Sequence, residues 1–209
     1  MSSAIIGDNV KIVDKCSFYE CTSLTSLTIG NSVTDIYGSA FYGCSNLSSL
    51  TIPNSVESIG GYAFYQCSRL SSVILGNKVS SIGIYAFSEC GDLLNFYCYP
   101  LKVPLAYLDF FYNPPRHIFD VSYIDLATLH VPESSLELYK NESPWSEFGK
   151  IVALTDEDPN PTGLQSLYIE NNPYATARYT VDGRRISQPQ RGLNIIRMSD
   201  GTTKKVLVK

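Results

Sequence analysis

The chain has 209 residues, of which 44% are hydrophobic and 17% charged, with six cysteines and a formal net charge of −4. This apolar content is enough for a real core, and the many Ser, Thr, Asn and Tyr residues favour β-rich surfaces and polar turns over long helices. The sequence has no apolar run of about 18 residues, so no membrane span is expected. Its first residues lack the features of a signal peptide.

Charge is distributed unevenly along the chain. Residues 1–155 carry eight Lys and Arg against fourteen Asp and Glu, a net charge of −6, whereas residues 164–209 have a net charge of +5. Between them lies the acidic, proline-containing stretch TDEDPNPTG. A change of sign across such a stretch indicates a linker between two differently built pieces. We therefore predict a first domain at 1–155, a linker at 156–163 and a small β domain at 164–209.

The first domain contains an internal repeat. Four units of equal length follow one another without a gap, at residues 6–28, 29–51, 52–74 and 75–97. Each unit ends in an LxxLxL-like stretch, such as LSSLTI, whose apolar residues recur at i and i+2 as in a half-buried strand. A second side of each unit carries pairs such as Val56 and Ile59, and a third side carries pairs such as Phe64 and Cys67. Because no unit could bury three apolar sides alone, the units must stack into a solenoid.

This repeat resembles a known family. The segment IPNSVESIGGYAFYQCSRLSSV is similar to the repeat of BspA-like leucine-rich-repeat proteins of host-associated anaerobic bacteria, and the likeness extends over residues 6–97. The later stretches LATLHVPESSLELYK and WSEFGKIV resemble the closing unit of that family. The resemblance implies a leucine-rich-repeat solenoid, mostly β with short helices and a C-terminal cap. It also implies a non-catalytic, adhesin-like module, secreted or at the cell surface, that binds protein or glycan.

The last part of the first domain, residues 98–155, departs from the repeat. The strand pattern returns at residues 126–131, later than the length of one repeat requires. The excess is assigned to residues 99–116, whose four prolines indicate an irregular excursion. Pro132, followed by ESSLELYK, predicts a short amphipathic helix that caps the solenoid together with the aromatic residues of WSEFG. The N-terminal side shows no such cap, so we expect the chain to begin within a longer solenoid.

Four apolar or alternating stretches follow the linker, at residues 164–170, 175–182, 193–198 and 204–209. Turn residues such as Asn-Asn-Pro and Asp-Gly separate these stretches, which together predict a compact antiparallel β unit. The segment YTVDGRRISQPQRGLNIIRMSDGTTKKVLVK resembles a tail module of secreted proteins of the same bacteria, related to secretion-sorting domains. It is shorter than a full sorting domain, so a sorting signal and a structural tail remain alternatives.

Four cysteines share one position of the repeat: Cys21, Cys44, Cys67 and Cys90. Their spacing predicts a column of small thiols inside the solenoid. Parallel side chains in neighbouring coils hold Cβ atoms farther apart than the roughly 3.8 Å of a disulfide, and a column does not converge on a metal ion. We therefore predict free thiols and no metal site. Cys16 and Cys98 fall outside the column and are expected to be half-buried.

No catalytic motif is evident in the sequence. His117 and His130 have no spacing that links them to a nucleophile or to a metal motif. The carboxylates are scattered along the repeat instead of being paired as in a glycosidase, and a phosphate-binding glycine loop is absent. We expect no enzymatic activity, no cofactor and, because the whole chain is acidic, no nucleic-acid partner. A monomer is expected.

Two surfaces are candidate binding sites. On the strand face, the small Ser and Thr side chains of the early units give way to larger ones in the late units. The late units carry Asn95, Tyr97 and His130 on this face, beside Thr128, and these four residues are the candidate site. The second surface is a column of tyrosines, each following the buried Phe of its unit: Tyr19, Tyr42 and Tyr65. Exposed aromatic side chains can stack on ligands, which favours a binding module; the alternative is a structural spacer that presents another domain.

Overall fold

A computed structural model describes residues 1–159 and the backbone of four strands between residues 175 and 208. The chain divides into two compact units, Met1–Thr162 and Gly163–Lys209. The first unit is a solenoid of parallel strands with one short α-helix, which confirms the predicted fold class. Within the described residues, no helix is both long and apolar enough to cross a membrane.

Long and short strands alternate along the solenoid. In chain order they are β1 Ser3–Ile6, β2 Ile12–Val13, β3 Ser26–Ile29, β4 Asp35–Ile36, β5 Ser49–Ile52, β6 Ser58–Ile59, β7 Ser72–Leu75, β8 Ser81–Ile82, β9 Asn95–Cys98, β10 Leu105–Ala106, β11 Thr128–Val131 and β12 Lys150–Ala153. The long strands β3, β5, β7, β9 and β11 fall on the predicted LxxLxL stretches, whereas β1 and β12 were not predicted. In β5, for example, Leu50 and Ile52 are buried while Ser49 and Thr51 are exposed.

Two sides of each coil are sheets, and their register follows the repeat. The strand face consists of the pair β1–β3 and the five-stranded sheet β5-β7-β9-β11-β12. The second side is the five-stranded parallel sheet β2-β4-β6-β8-β10. Leu50 pairs with Val73 and Val73 pairs with Phe96, so equivalent positions of successive coils lie side by side. This register turns every repeated residue into a column along the solenoid.

The third side of each coil is built from turns. Backbone hydrogen bonds link neighbouring coils here, as from Phe64 N to Ala86 O at 2.9 Å. Residues of these turns adopt a left-handed conformation, for example Tyr62 and Gln66 with φ of 60° and 58°. Inside, the phenylalanines form a continuous stack, with 5.2 Å between the ring centroids of Phe41 and Phe64. The burial predicted for this side is therefore present.

The first coil and the late strand pattern differ from the prediction. Phe18 and Cys21 are only partly buried, since Phe18 lies in the first coil and stacks on the ring of Phe41 in the next coil at 5.0 Å. Leu27 is partly buried as well. Leu126, expected to anchor the strand that follows the excursion, is exposed because it lies in the 3-10 turn Ile124–Leu126, and Ala127 takes the buried position.

The predicted excursion at residues 99–116 is too broad. Its first part is regular, because β10 continues the second side and pairs with β8. The prolines misled the prediction: Pro104 directly precedes this short strand, at a position where a missing N–H is tolerated. Most of the additional residues form a loop at residues 107–117, closed by an antiparallel bridge between Asp109 and Arg116. We call this segment the 107–117 loop.

A cap closes the C-terminal end of the solenoid. It consists of the 3-10 turn Glu133–Ser135, helix α1 at Leu136–Asn141 and the 3-10 turn Trp145–Glu147. Tyr139 and Trp145 are fully buried. The Tyr139 hydroxyl donates to Pro100 O at 2.8 Å, and the Trp145 indole N–H donates to Pro104 O at 3.2 Å. The cap thus covers the last coil and satisfies backbone carbonyls of the segment that leads into β10.

The second unit contains four antiparallel strands in the order β14-β13-β15-β16. Their bounds are β13 Ala175–Thr180, β14 Arg185–Ile186, β15 Gly192–Met198 and β16 Thr203–Val208. The predicted antiparallel β unit is therefore present. The strand predicted at residues 164–170 lies outside the described residues.

All six cysteines are free thiols. Cys44, Cys67 and Cys90 are buried, and each thiol lies against a carbonyl oxygen of the preceding coil, as from Cys90 Sγ to Phe64 O at 3.4 Å. The expectation of half-burial for Cys16 and Cys98 is wrong. Cys16 is exposed, and Cys98 is fully buried with its Sγ 3.4 Å from the Tyr139 hydroxyl.

Thiol reactivity is expected to follow burial. Burial raises the pKa of Cys44 to about 11 and the pKa values of Cys90 and Cys98 to about 12. At pH 8 in the folded chain, a thiol reagent should therefore modify Cys16 first and leave these buried thiols intact. Denaturant should release all six. Fast modification of four or more thiols in the folded chain would contradict the buried column.

The same shifts predict how stability depends on pH. Because the folded-state pKa values are raised, only the unfolded chain ionises as the pH passes the ordinary cysteine value of about 8.5. The contribution of these thiols to the free energy of unfolding should therefore be constant below about pH 8 and be lost between about pH 8.5 and pH 12. Urea denaturation of the chain and of its Cys90→Ala variant across this range measures the effect, and the fall should be smaller in the variant.

Candidate functional site

The tyrosine column forms a stack on the outside of the third side. The ring centroids of Tyr19 and Tyr42 lie 4.8 Å apart, and those of Tyr42 and Tyr65 lie 5.0 Å apart. The rings are within 24° of parallel. Tyr42 therefore has both ring faces covered by its neighbours, which leaves its edge and hydroxyl for a ligand. The column presents polar ring edges in a regular series.

Two further tyrosines extend this column, and the sequence reasoning missed both. Tyr62 lies 5.4 Å from Tyr65 and 5.0 Å from Tyr85, measured between ring centroids. The Tyr85 hydroxyl donates to Asp109 Oδ2 at 2.9 Å, which joins the series to the 107–117 loop. The available signal was that Tyr62 and Tyr85 occupy the same position of successive repeat units. We call the five residues Tyr19, Tyr42, Tyr62, Tyr65 and Tyr85 the tyrosine surface, in which Tyr85 is the buried end of the series.

Carboxylates hold part of the tyrosine surface in place. The Tyr65 hydroxyl donates to Glu89, and Gln66 Nε2 donates to the other oxygen of the same carboxylate at 2.9 Å. The hydrogen bond to Glu89 raises the pKa of Tyr65. Burial, followed by the hydrogen bond to Asp109, raises the pKa of Tyr85 to about 12. Both hydroxyls are therefore protonated at neutral pH, and their rings are fixed at one end by packing and at the other by hydrogen bonds.

The four candidate residues of the strand face lie together. Asn95 pairs with Thr128, and Tyr97 pairs with His130, across the strands β9 and β11. The rings of Tyr97 and His130 stack with 4.3 Å between their centroids, and His130 Nε2 lies 3.2 Å from Asn95 Oδ1. All four residues are half-buried. We call this group the strand-face patch.

The segment that follows β12 borders the strand-face patch. Asp158 Oδ1 lies 3.5 Å from His130 Nδ1, and the Tyr99 hydroxyl donates to Pro159 O at 2.8 Å. Burial lowers the pKa of His130, and the Asp158 carboxylate opposes this shift. Burial, followed by Asp158, raises the pKa of Tyr97. The chain's own segment therefore occupies part of the space that a ligand of this patch would need.

A cleft of about 450 Å³ separates the 107–117 loop from the cap. Residues 112–116, with Leu108 and Asp120, form one side, and His117, Ser143 and Glu147 form the other. The sequence indicated that His117 is an ordinary surface histidine. In the structure, its Nε2 lies 3.1 Å from Glu147 Oε2 in the cap. Among the described residues, no group of three or more His, Cys, Asp and Glu side chains is placed to hold a metal ion.

Three solved structures are similar to this chain. A leucine-rich repeat protein from T. pallidum is 17% identical with a TM-score of 0.48, and the match covers 83% of this chain and 71% of that chain. One from Bacteroides ovatus is 19% identical with a TM-score of 0.46, covering 73% of this chain and 43% of that chain. A leucine rich cell surface protein from Faecalibacterium prausnitzii is 20% identical with a TM-score of 0.33, covering 73% and 57%. The match thus covers less than two thirds of the length of the Bacteroides ovatus and Faecalibacterium prausnitzii proteins.

A family model completes the comparison. A search of curated proteins gives no match. The model described as "BspA type Leucine rich repeat region (6 copies)" matches residues 1–113, more than half of the chain. This match agrees with the parallel coils, the gapless repeat and the buried phenylalanine stack of the structure. The chain belongs to the BspA-type leucine-rich-repeat family.

Proposed function

We propose that this chain is a non-catalytic binding module, secreted or at the cell surface, that adheres to a protein ligand through the outside of its solenoid. Leucine-rich-repeat proteins are typically non-catalytic protein-interaction modules. In a solenoid, equivalent residues of successive coils combine into one extended surface. The binding surface is therefore sought among the exposed columns of the coils.

The continuity of the tyrosine surface carries this proposal. Its five rings contact one another in series from the first coil to the 107–117 loop. Tyrosine is among the residues that most often dominate the binding energy of protein interfaces. Rings that are already fixed by stacking and by the carboxylates of Glu89 and Asp109 lose little conformational entropy when a partner binds. The surface is thus organised before any ligand arrives.

The charge of the solenoid indicates what kind of protein fits. Residues 1–155 have a net charge of −6, and Glu89 and Asp109 lie within the tyrosine surface itself. A partner with a basic surface would associate faster and in a defined orientation. The strand-face patch is proposed as a secondary contact, because Tyr97 and His130 offer the largest side chains of that face beside the polar groups of Asn95 and Thr128.

The two surfaces are tested with matched variants of the full chain on immobilised collagen, laminin and mucin. For the protein bound best, Tyr19→Ala/Tyr42→Ala should weaken binding by at least about tenfold. The melting temperature is expected to fall, because Tyr42 is half-buried and stacked on both faces. Binding is therefore compared at a temperature at which both proteins are folded. Tyr97→Ala reports on the strand-face patch, and Ser49→Ala, exposed on the same face, is the control.

Two results would contradict the proposal. A Tyr19→Ala/Tyr42→Ala variant that binds like the unaltered chain would remove the tyrosine surface from consideration. No binding of the full chain to any of the three proteins, at concentrations up to about 100 μM, would correspond to less than about 5–6 kcal/mol of binding free energy. That outcome would favour a structural spacer.

A further inference from the structure

The cleft between the 107–117 loop and the cap has the composition of a small-molecule site. We infer that it binds one neutral sugar unit, a hexose or an N-acetylhexosamine, as found at the end of a glycan. Its volume of about 450 Å³ lies within the range of about 300–1,000 Å³ that is usual for ligand sites. The cleft shares no residue with the tyrosine surface, so this inference is independent of the proposed protein ligand.

One side of the cleft is apolar and stiff. Tyr112, Pro114 and Pro115 line it. The guanidinium of Arg116 lies 4.1 Å from the centroid of the Tyr112 ring, in cation–π geometry, and the bridge between Asp109 and Arg116 closes the loop behind them. A sugar ring has an apolar face made of C–H groups. The face of Tyr112 that Arg116 does not cover, flanked by prolines, is a suitable surface for it.

The opposite side of the cleft offers oriented hydrogen-bonding groups. The Phe119 N–H donates to His117 Nδ1 at 3.1 Å, so the neutral ring carries its proton on Nε2. This proton is directed to Glu147 Oε2 at 3.1 Å, while the Ser143 hydroxyl donates to Glu147 Oε1 at 2.6 Å. The Glu147 carboxylate is therefore held from both oxygens, and each oxygen keeps a further lone pair that can accept from a sugar hydroxyl.

The balance of charges selects a neutral ligand. Arg116 pairs with Asp120 at 3.5 Å, and Glu147 adds a second carboxylate. An anionic ligand would meet two carboxylates, whereas a cation would meet the guanidinium. Hydroxyl groups suit the carboxylates as well as the guanidinium. They donate hydrogen bonds to carboxylates and accept them from the guanidinium and from the Asn113 amide. The pair of Arg116 and Asp120 is partly exposed and therefore weak, so a hydroxyl group can insert between its partners at little cost.

The test is a titration of the full chain with glucose, galactose, mannose and N-acetylglucosamine, followed by saturation-transfer NMR and by the chemical shifts of the protein. We expect at least one of these neutral sugars to bind with a dissociation constant in the millimolar range, and N-acetylneuraminic acid to bind several-fold more weakly. Tyr112→Ala and Asp120→Asn should each weaken binding of that sugar by at least about tenfold. Tyr112→Ala removes the ring and Asp120→Asn removes the charge of the carboxylate, and neither side chain belongs to the buried core.

Phe111→Ala is the matched control, because Phe111 is 99% exposed on the same loop and does not line the cleft. It should bind the sugar normally, and so should Tyr19→Ala/Tyr42→Ala, which separates this site from the proposed protein-binding surface. The inference is overturned if none of the four neutral sugars binds, or if N-acetylneuraminic acid binds best. It is also overturned if binding persists in Tyr112→Ala and Asp120→Asn.

Discussion

Replacement of Phe64 by alanine is expected to lower the free energy of unfolding by about 3–5 kcal/mol, because a buried aromatic side chain leaves both a lost transfer energy and a cavity. Phe64 is fully buried in the middle of the phenylalanine stack, with ring centroids 5.2 Å from Phe41 and 5.3 Å from Phe87. Neither neighbour can fill the space, because each also stacks on the coil beyond, through Phe18 and Phe119 respectively. Urea denaturation followed by circular dichroism measures the loss.

Tyr19→Ala is the control for this prediction. Tyr19 is 45% exposed at the end of the outer column, where it stacks on Tyr42, so its loss should cost less than about 1 kcal/mol. Tyr65 is a poorer control, since its hydroxyl is bonded to Glu89 and its ring contacts both Tyr42 and Tyr62. Equal losses in Phe64→Ala and Tyr19→Ala would show that the inner and outer columns are assigned incorrectly.

Trp145→Ala is expected to have a similarly large effect, about 3–5 kcal/mol, for a different reason. Trp145 is fully buried and packs edge-on against Phe96, Phe119 and Tyr139. Its indole N–H also satisfies Pro104 O, and an unsatisfied buried carbonyl adds a cost of about 1–3 kcal/mol. Because this residue joins the cap to the last coil, its loss should expose the end of the solenoid to solvent.

Hydrogen exchange distinguishes loss of the cap from global destabilisation. In Trp145→Ala, amides of β11 and β12 should exchange faster than those of β5 and β7, relative to the unaltered chain. Leu138→Ala is the matched control, since Leu138 lies on α1 next to the buried Tyr139 but is 54% exposed. A Trp145→Ala variant as stable as Leu138→Ala would mean that the cap does not hold the last coil.

The sequence alone determined the solenoid, its inner columns and its outer column. A repeat of constant length without gaps places equivalent residues side by side. The environment of Phe64 or of Leu50 therefore predicts the environment of the equivalent residues in other coils. Burial then follows from the alternation along each strand. The predictions failed first at the end of the series, as for Phe18 in the first coil, because the repeat encodes the contact but not whether a further coil is present.

Only the tertiary structure decided the parts of the surface that do not repeat. The bond from Trp145 to Pro104, the pair of His117 and Glu147, and the approach of Asp158 to His130 each join segments that lie farther apart in the sequence than the length of one repeat. Such contacts depend on the path of the backbone around the 107–117 loop and the cap, and no periodicity in the sequence records that path. The repeated core was therefore predictable, whereas the cleft and the geometry of the binding surfaces were not.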